Sequence, residues 1–342
     1  MSHAGDIERL SNSAAFTPSR KYLQLPGDHV PFDQLTGKAN YEARVIGALE
    51  HDRDVGILGP RGGGKSSLIA YVSEHLPPEF VVLRVPVTGA DDPTKTANVT
   101  SVALNAALRT IELARGERAE LQKARADQAS SERSSGARGA SVGGGALPFE
   151  VHGELRTLSE QLANNQLADE RLAGLDRLIS ILRHRRLRPV FVLEDTEAAI
   201  GGSDRPQLTA GFLTGPVRAF TQELEAPCII AVQDAFKASP EYRELIATVQ
   251  DVKLPILPRA SLATIIEHRL RREGINAPAG EFLSAGAFRL LMAFYRESEN
   301  SLRFTLSALQ SAIGHAAEMA AERVEEGHMR AAVNEWQQHF TA

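Results

Sequence analysis

The sequence predicts an α/β fold: a parallel five-stranded sheet flanked by helices, followed by a smaller all-helical domain. Three observations lead there. A strand, a glycine loop, a helix and a second strand succeed one another between residues 55 and 87; apolar runs at 189–195, 227–234 and 252–257 supply three more strands; and after Pro258 no strand-like run remains. Parallel neighbours need crossover connections, which the helical patterns between the runs provide. A chain of 342 residues exceeds one ordinary core, and roughly 100 to 200 residues per domain predicts two or so. The divisions expected are an N-terminal arm at 1–30, an α/β domain at 31–258 and a helical domain at 259–342.

Residues 1–30 are polar with scattered Pro and Gly and read as an extended lead-in. Ala43, Val45, Ile46 and Leu49 follow helical spacing. "DVGILG" is a short buried strand running into the glycine loop, and Leu68, Ile69, Tyr71, Val72 and Leu76 suit a helix packed on it, closed by Pro77 and Pro78. "FVVLRVPV" at 80–87 reads as the second strand. Residues 98–127 look helical, after which "QASSERSSGARGASVGGGA" loses nearly all apolar content and is expected to be a flexible insertion near 128–147. A helix resumes near Leu155 and runs to Arg186 before "PVFVLED", the third strand; "PCIIAVQD" and "VKLPIL" follow as the fourth and fifth. Helical patterns then occupy 260–273, 284–296, 300–322 and 325–340.

The composition, 43% hydrophobic and 24% charged with 6% aromatic, is that of a globular chain. A net charge of -5 argues against coating nucleic acid through bulk charge. The single Cys228 forms no intramolecular disulfide, the start "MSHAGDIERL" lacks a secretory profile, and no apolar stretch approaches the ~20 residues of a membrane helix. The expected location is the cytoplasm, with no membrane contact.

The loop "GPRGGGKSS" carries the chemistry. Gly59, Gly64, Lys65 and Ser66 fit GxxxxGK[ST], between a strand and a helix as that motif requires. In this pattern the loop of Gly59, Pro60, Arg61, Gly62, Gly63, Gly64, Lys65, Ser66 and Ser67 wraps a polyphosphate with its backbone amides, Pro60 shaping the turn without donating. Lys65 reaches its β and γ oxygens, Ser66 ligates Mg²⁺, and the helix adds its positive end. Hydrolysis needs a further acid for the metal and a base for water. "VFVLEDTE" delivers Glu194 and Asp195 to a strand's C-terminal end, where ligands sit in such sheets. No NKxD-type guanine reader is found, which disfavours GTP; a small-molecule kinase is the less attractive match beside the long helical tail and absent lid signature, and the ligands expected are ATP and Mg²⁺.

With these residues in place, the chain resembles an AAA+ ATPase of the replication-initiator-like branch, which includes origin-recognition ATPases and transposition regulators. The resemblance covers roughly 30–335. It implies that "LTGKANYEARVIGALE" brings Gly37 and Lys38 near the adenine. Gln233, at the end of the fourth strand, takes the place of a polar sensor usually filled by Asn or Thr. The segment "SENSLRFTLSALQ" is similar to the initiator pattern in which an Arg opens a long helix, and Arg303 would be the second sensor. The resemblance also implies an arginine finger acting in trans, hence a homo-oligomer with a shared nucleotide site; Arg243 is the best positional match, with Arg259 and Arg269 as rivals. The usual acidic order in hydrolysing relatives is Asp then Glu, and here it is Glu then Asp.

Two readings stay open. One is an ATP-hydrolysing switch or loader in a DNA-associated process. The other is a STAND-like signalling or defence ATPase that binds ATP with little turnover and scaffolds a protein partner. The basic cluster "RHRRLR" at 183–188 fits either contact with DNA phosphates or complementation of a helix C-terminus.

Overall fold

The fold was determined as a computed structural model, and the residues it describes are 4–13, 15–16, 29–37, 40–107, 110, 168–201 and 205–341. The insertion expected near 128–147, the start of the helix near Leu155 and the residue Lys38 lie outside the described residues.

Five strands form one parallel sheet: β1 Val55–Gly59, β2 Phe80–Pro86, β3 Arg188–Glu194, β4 Cys228–Gln233 and β5 Gln250–Lys253, in the order β2-β3-β4-β1-β5. β1 is buried at every residue and β4 at every residue but its last. Both read as unbroken apolar runs because a parallel sheet is covered on both faces and leaves no polar side to alternate with. β5 begins two residues earlier than the apolar run suggests. Its polar start is recruited by backbone pairing: Gln250 N donates to Asp54 O at 2.8 Å and Leu254 N to Leu58 O at 2.7 Å.

The described chain gathers into two compact units. One holds residues 1–46, 57–75 and 252–342, so the glycine loop, its helix Lys65–His75 and the C-terminal helices share a unit. Those helices are Arg259–Arg272, Ala279–Phe282, Ala285–Glu297, Leu302–Glu318 and Glu326–Thr341. Ser284 and Ser301 cap two of them, their side chains accepting from Ala287 N and Phe304 N. The pattern expected to run through 322 stops at Glu318. Ala320 takes φ 50°, and Val324 bridges back to Leu283, which turns the chain before the last helix.

The extended lead-in expected at 1–30 is corrected by a helix at Ala4–Asn12. Ile7, Leu10 and Phe16 are all fully buried. The helix packs on Leu302–Glu318, where Gln310 grips the chain twice: Nε2 donates to Leu10 O at 2.9 Å and Oε1 accepts from Phe16 N at 3.1 Å. Arg269 Nη1 donates to Ala15 O at 2.5 Å, and burial lowers its pKa to about 10.

The other unit holds residues 47–56 and 76–251. β2 and β3 pair along their whole length, from Phe80 against Arg188 to Pro86 against Glu194. Helix Ala168–His184 ends at the basic cluster, in which Arg183 and Arg188 find partners within the unit. Arg183 pairs with Glu225 at 2.9 Å, and Arg188 pairs with Asp52 at 2.9 Å while lying over the Phe80 ring. Helix Pro206–Phe212 continues in π turns through Glu223, and Gly215 lets it approach Thr94, whose carbonyl oxygen would sit 2.8 Å from a β-carbon there.

At the start of β1, Asp54 accepts from Cys228 N at 2.7 Å. Burial raises its pKa from 3.8 to about 6, against the pull of that amide. A carboxyl whose folded pKa is raised favours the native state while protonated, and this contribution is lost as pH climbs through the folded value. Wild-type stability should therefore fall, relative to Asp54→Asn, between about pH 4 and pH 7, by on the order of 1 to 3 kcal/mol. Thermal melts of both proteins across that range check this, and parallel profiles would refute it.

Candidate functional site

The site begins where β1 ends. Gly59 closes the strand, Leu254 lying 3.1 Å from where its β-carbon would be, and the chain then turns back on itself through residues 60–64. Gly62 and Gly64 take φ 69° and 97°, conformations that cost other residues dearly. Gly63 has no room for a side chain either, since a β-carbon would meet Pro60 O at 2.9 Å. The result is a tight turn of main chain with no room for side chains at Gly62 and Gly63, the glycine-rich form that can nest an anion. Lys65 opens the next helix and is buried, its Nζ donating to Gly59 O at 3.0 Å and Pro60 O at 2.9 Å. The ammonium thus lies against the loop it would share with a phosphate. The helix has no acidic residue in its first turn to compete for that place.

The C-terminal helices reach this loop within the same unit. A β-carbon on Gly62 would collide with Ser301 Oγ and come within 2.9 Å of Arg303 Cβ. Arg303 stands in the first turn of helix Leu302–Glu318, and its Nε is buried with no hydrogen-bond partner. A buried guanidinium donor left unsatisfied is costly, and an anion at the loop is the kind of partner that would satisfy it. Arg61 lies over the Phe304 ring at 5.8 Å.

In the other unit, β3 carries Glu194 at its end and Asp195 just beyond. Burial pushes the Glu194 carboxyl up, while Arg84, 3.8 Å away on β2, pulls it down and Asp195 pushes it further up. Asp195 is exposed and takes φ 59° at the N-terminus of helix Thr196–Ile200, a left-handed conformation that Asp tolerates better than most. Gln233 does end β4 as expected, but its amide donates to Gly201 O, so its length is spent tying the strand to a neighbouring loop. Arg243 is exposed on helix Pro240–Ile246. Of its rivals, Arg269 is buried on Ala15 and Arg259 lies over the Phe288 ring at 5.0 Å.

Sequence reasoning missed His29 and Glu42, which form a buried pair at 2.7 Å beside Ser67. No motif marks them. The one available signal is an acid in an otherwise apolar helical stripe, between Tyr41 and Ala43.

No protein-family model matches the chain, and no curated protein does. Solved structures do resemble it. The Aeropyrum pernix ORC1 protein, solved in complex with DNA, is similar with a TM-score of 0.55 at 16% identity, covering 94% of this chain and 68% of that one. The Aeropyrum pernix ORC2 protein, solved with ADPNP and ADP, gives 0.52 at 16% identity, covering 94% and 71%. At such identities the likeness speaks for the fold. The chain has the fold of the origin-recognition proteins, a parallel five-stranded α/β sheet with a helical C-terminal region, as the resemblance to initiator-branch AAA+ ATPases implied.

Proposed function

We propose that this chain binds ATP with Mg²⁺ and hydrolyses it slowly, acting as a nucleotide-dependent oligomeric switch or loader in a DNA-associated process. The observation that carries the reading is the nest at 59–65, whose glycines cannot accept side chains and whose lysine lies against the loop. The main-chain amides from Arg61 to Ser67, with the Lys65 ammonium, would hold the polyphosphate, and Ser66, Glu194 and Asp195 the metal. A bound Mg²⁺ supplies charge neutralisation at the phosphates. Asp195, exposed beyond the strand, is assigned the orientation of water, and Arg303, with its unsatisfied Nε, the sensing of the γ-phosphate.

The division into a 31–258 nucleotide domain and a 259–342 lid is part of this reading, as is a homo-oligomer completed by Arg243 from a neighbour. DNA enters by analogy with the ORC1 complex. We place the protein in the cytoplasm; among the described residues no helix is long and apolar enough to cross a membrane.

A second reading, the STAND-like scaffold with a protein partner and little turnover, is favoured by two specific observations. Gln233 is engaged by Gly201 rather than held toward a ligand, and Arg84 stands beside Glu194 where a metal would compete with it. ATP turnover measured with and without duplex DNA separates the two: stimulation supports the loader, and tight binding with negligible rates supports the scaffold.

Lys65→Ala should lose binding of a non-hydrolysable ATP analogue by calorimetry, about 100-fold or more, because a charge-assisted contact to phosphate is removed from a buried position. Asp195→Asn should retain analogue binding within about threefold and lose turnover by about 100-fold, the usual range for a group that acts as a general base. Normal turnover in Asp195→Asn with loss in Glu194→Gln would reverse the roles of the two acids.

A further inference from the structure

The pair His29 and Glu42 is buried, 7% and 3% exposed, beside the helix that opens at Lys65. Glu42 Oε1 receives both His29 Nε2 at 2.7 Å and Phe32 N at 2.8 Å, while its Oε2 is buried with no hydrogen-bond partner. On the other side of the ring, Nδ1 lies 3.1 Å from Ser67 Oγ. Phe32 and Tyr71 pack against the imidazole at 5.6 and 4.9 Å between centroids. The segment also touches the C-terminal helices, Ser261 Oγ donating to Leu35 O.

Such an arrangement is a poor way merely to hold a segment in place. A buried ionisable pair with one oxygen unsatisfied is commonly no more stable than apolar side chains of the same volume, which could fill the space between Phe32 and Tyr71. What apolar side chains could not do is hold a hydroxyl. Serine in a first helical turn competes for nearby backbone groups, and the amides there have no acceptor within the helix. Leu68 N is already bonded to Gly64 O, so the donors that a phosphate would use are those ahead of it. Glu42 fixes the ring through Nε2, and Nδ1 on its far side holds the Ser67 hydroxyl sideways, away from those amides.

We propose that His29, oriented by Glu42, is a positioning residue for triphosphate binding: it sequesters the Ser67 hydroxyl so that the first-turn amides stay available to the anion. The inference rests on the nucleotide-binding reading of the loop. It makes His29 and Ser67 interdependent, which a role in packing alone does not.

The test is calorimetric titration of the full chain with a non-hydrolysable ATP analogue and Mg²⁺, alongside thermal melts. His29→Gln, which can still bond Glu42 but does not reach Ser67, and His29→Ala should each weaken binding about five- to tenfold, the size of one hydrogen bond. Adding Ser67→Ala to either should recover most of that affinity without recovering any loss in melting temperature. Wild-type affinity in both single variants would overturn the proposal, and so would a loss that persists in the double variants. Failure of the wild-type chain itself to bind the analogue would instead overturn the nucleotide-binding reading, so the two failures are told apart.

Discussion

The main-chain path from Gly59 to Lys65 is the constraint on which the rest is built. It reverses direction within a few residues, Gly63 N donating to Pro60 O at 3.0 Å, with positive φ at Gly62 and Gly64 and bare α-carbons where Pro60, Ser301 and Arg303 crowd in. A turn of that kind is not stable by itself, because glycine surrenders more freedom on ordering than any other residue. It is held from both ends: β1, wholly buried, fixes its entry, and the helix Lys65–His75, with Leu68, Ile69 and Val72 in the core, fixes its exit. The N-cap and first turn of Leu302–Glu318 close over its tip, Ser301 and Arg303 taking the space a side chain at Gly62 would need.

Several charges are met locally. Within the basic run at 183–188, Arg183 and Arg188 are offset by Glu225 and Asp52, and Arg84 offsets part of the burden of Glu194. Two buried donors, the Nε atoms of Arg269 and Arg303, stand without hydrogen-bond partners. Their surroundings differ in meaning. Arg269 spends its Nη1 on the N-terminal segment, whereas Arg303 adjoins the glycine turn. The same shortage therefore reads as a structural tie in one place and as an open seat for an anion in the other.

What could be read from the letters was what is local in them. Strands β3 and β4 hold the short runs "VFVLE" and "CIIAVQ", whose apolarity is forced by two-sided burial, and the glycine turn is written in consecutive residues. The N-terminal helix was hidden because nine residues of mixed polarity carry little signal, and their order comes from Gln310, 300 positions away from Leu10. The end of helix Leu302–Glu318 was hidden for a related reason: the alanines at 316, 317, 320 and 321 favour continuation, and the stop is imposed by the bridge between Val324 and Leu283. Glu42 and His29 were illegible because each looks ordinary alone and acquires meaning only opposite the other.

The double grip of Gln310 on the chain's first segment bears on how the polypeptide comes off the ribosome. Its partners are separated by 294 and 300 positions, so at about 5 to 20 residues per second the opening segment waits on the order of 15 to 60 seconds for its seat to be made. Throughout that interval Ile7, Leu10 and Phe16, fully covered in the finished molecule, have nowhere native to go.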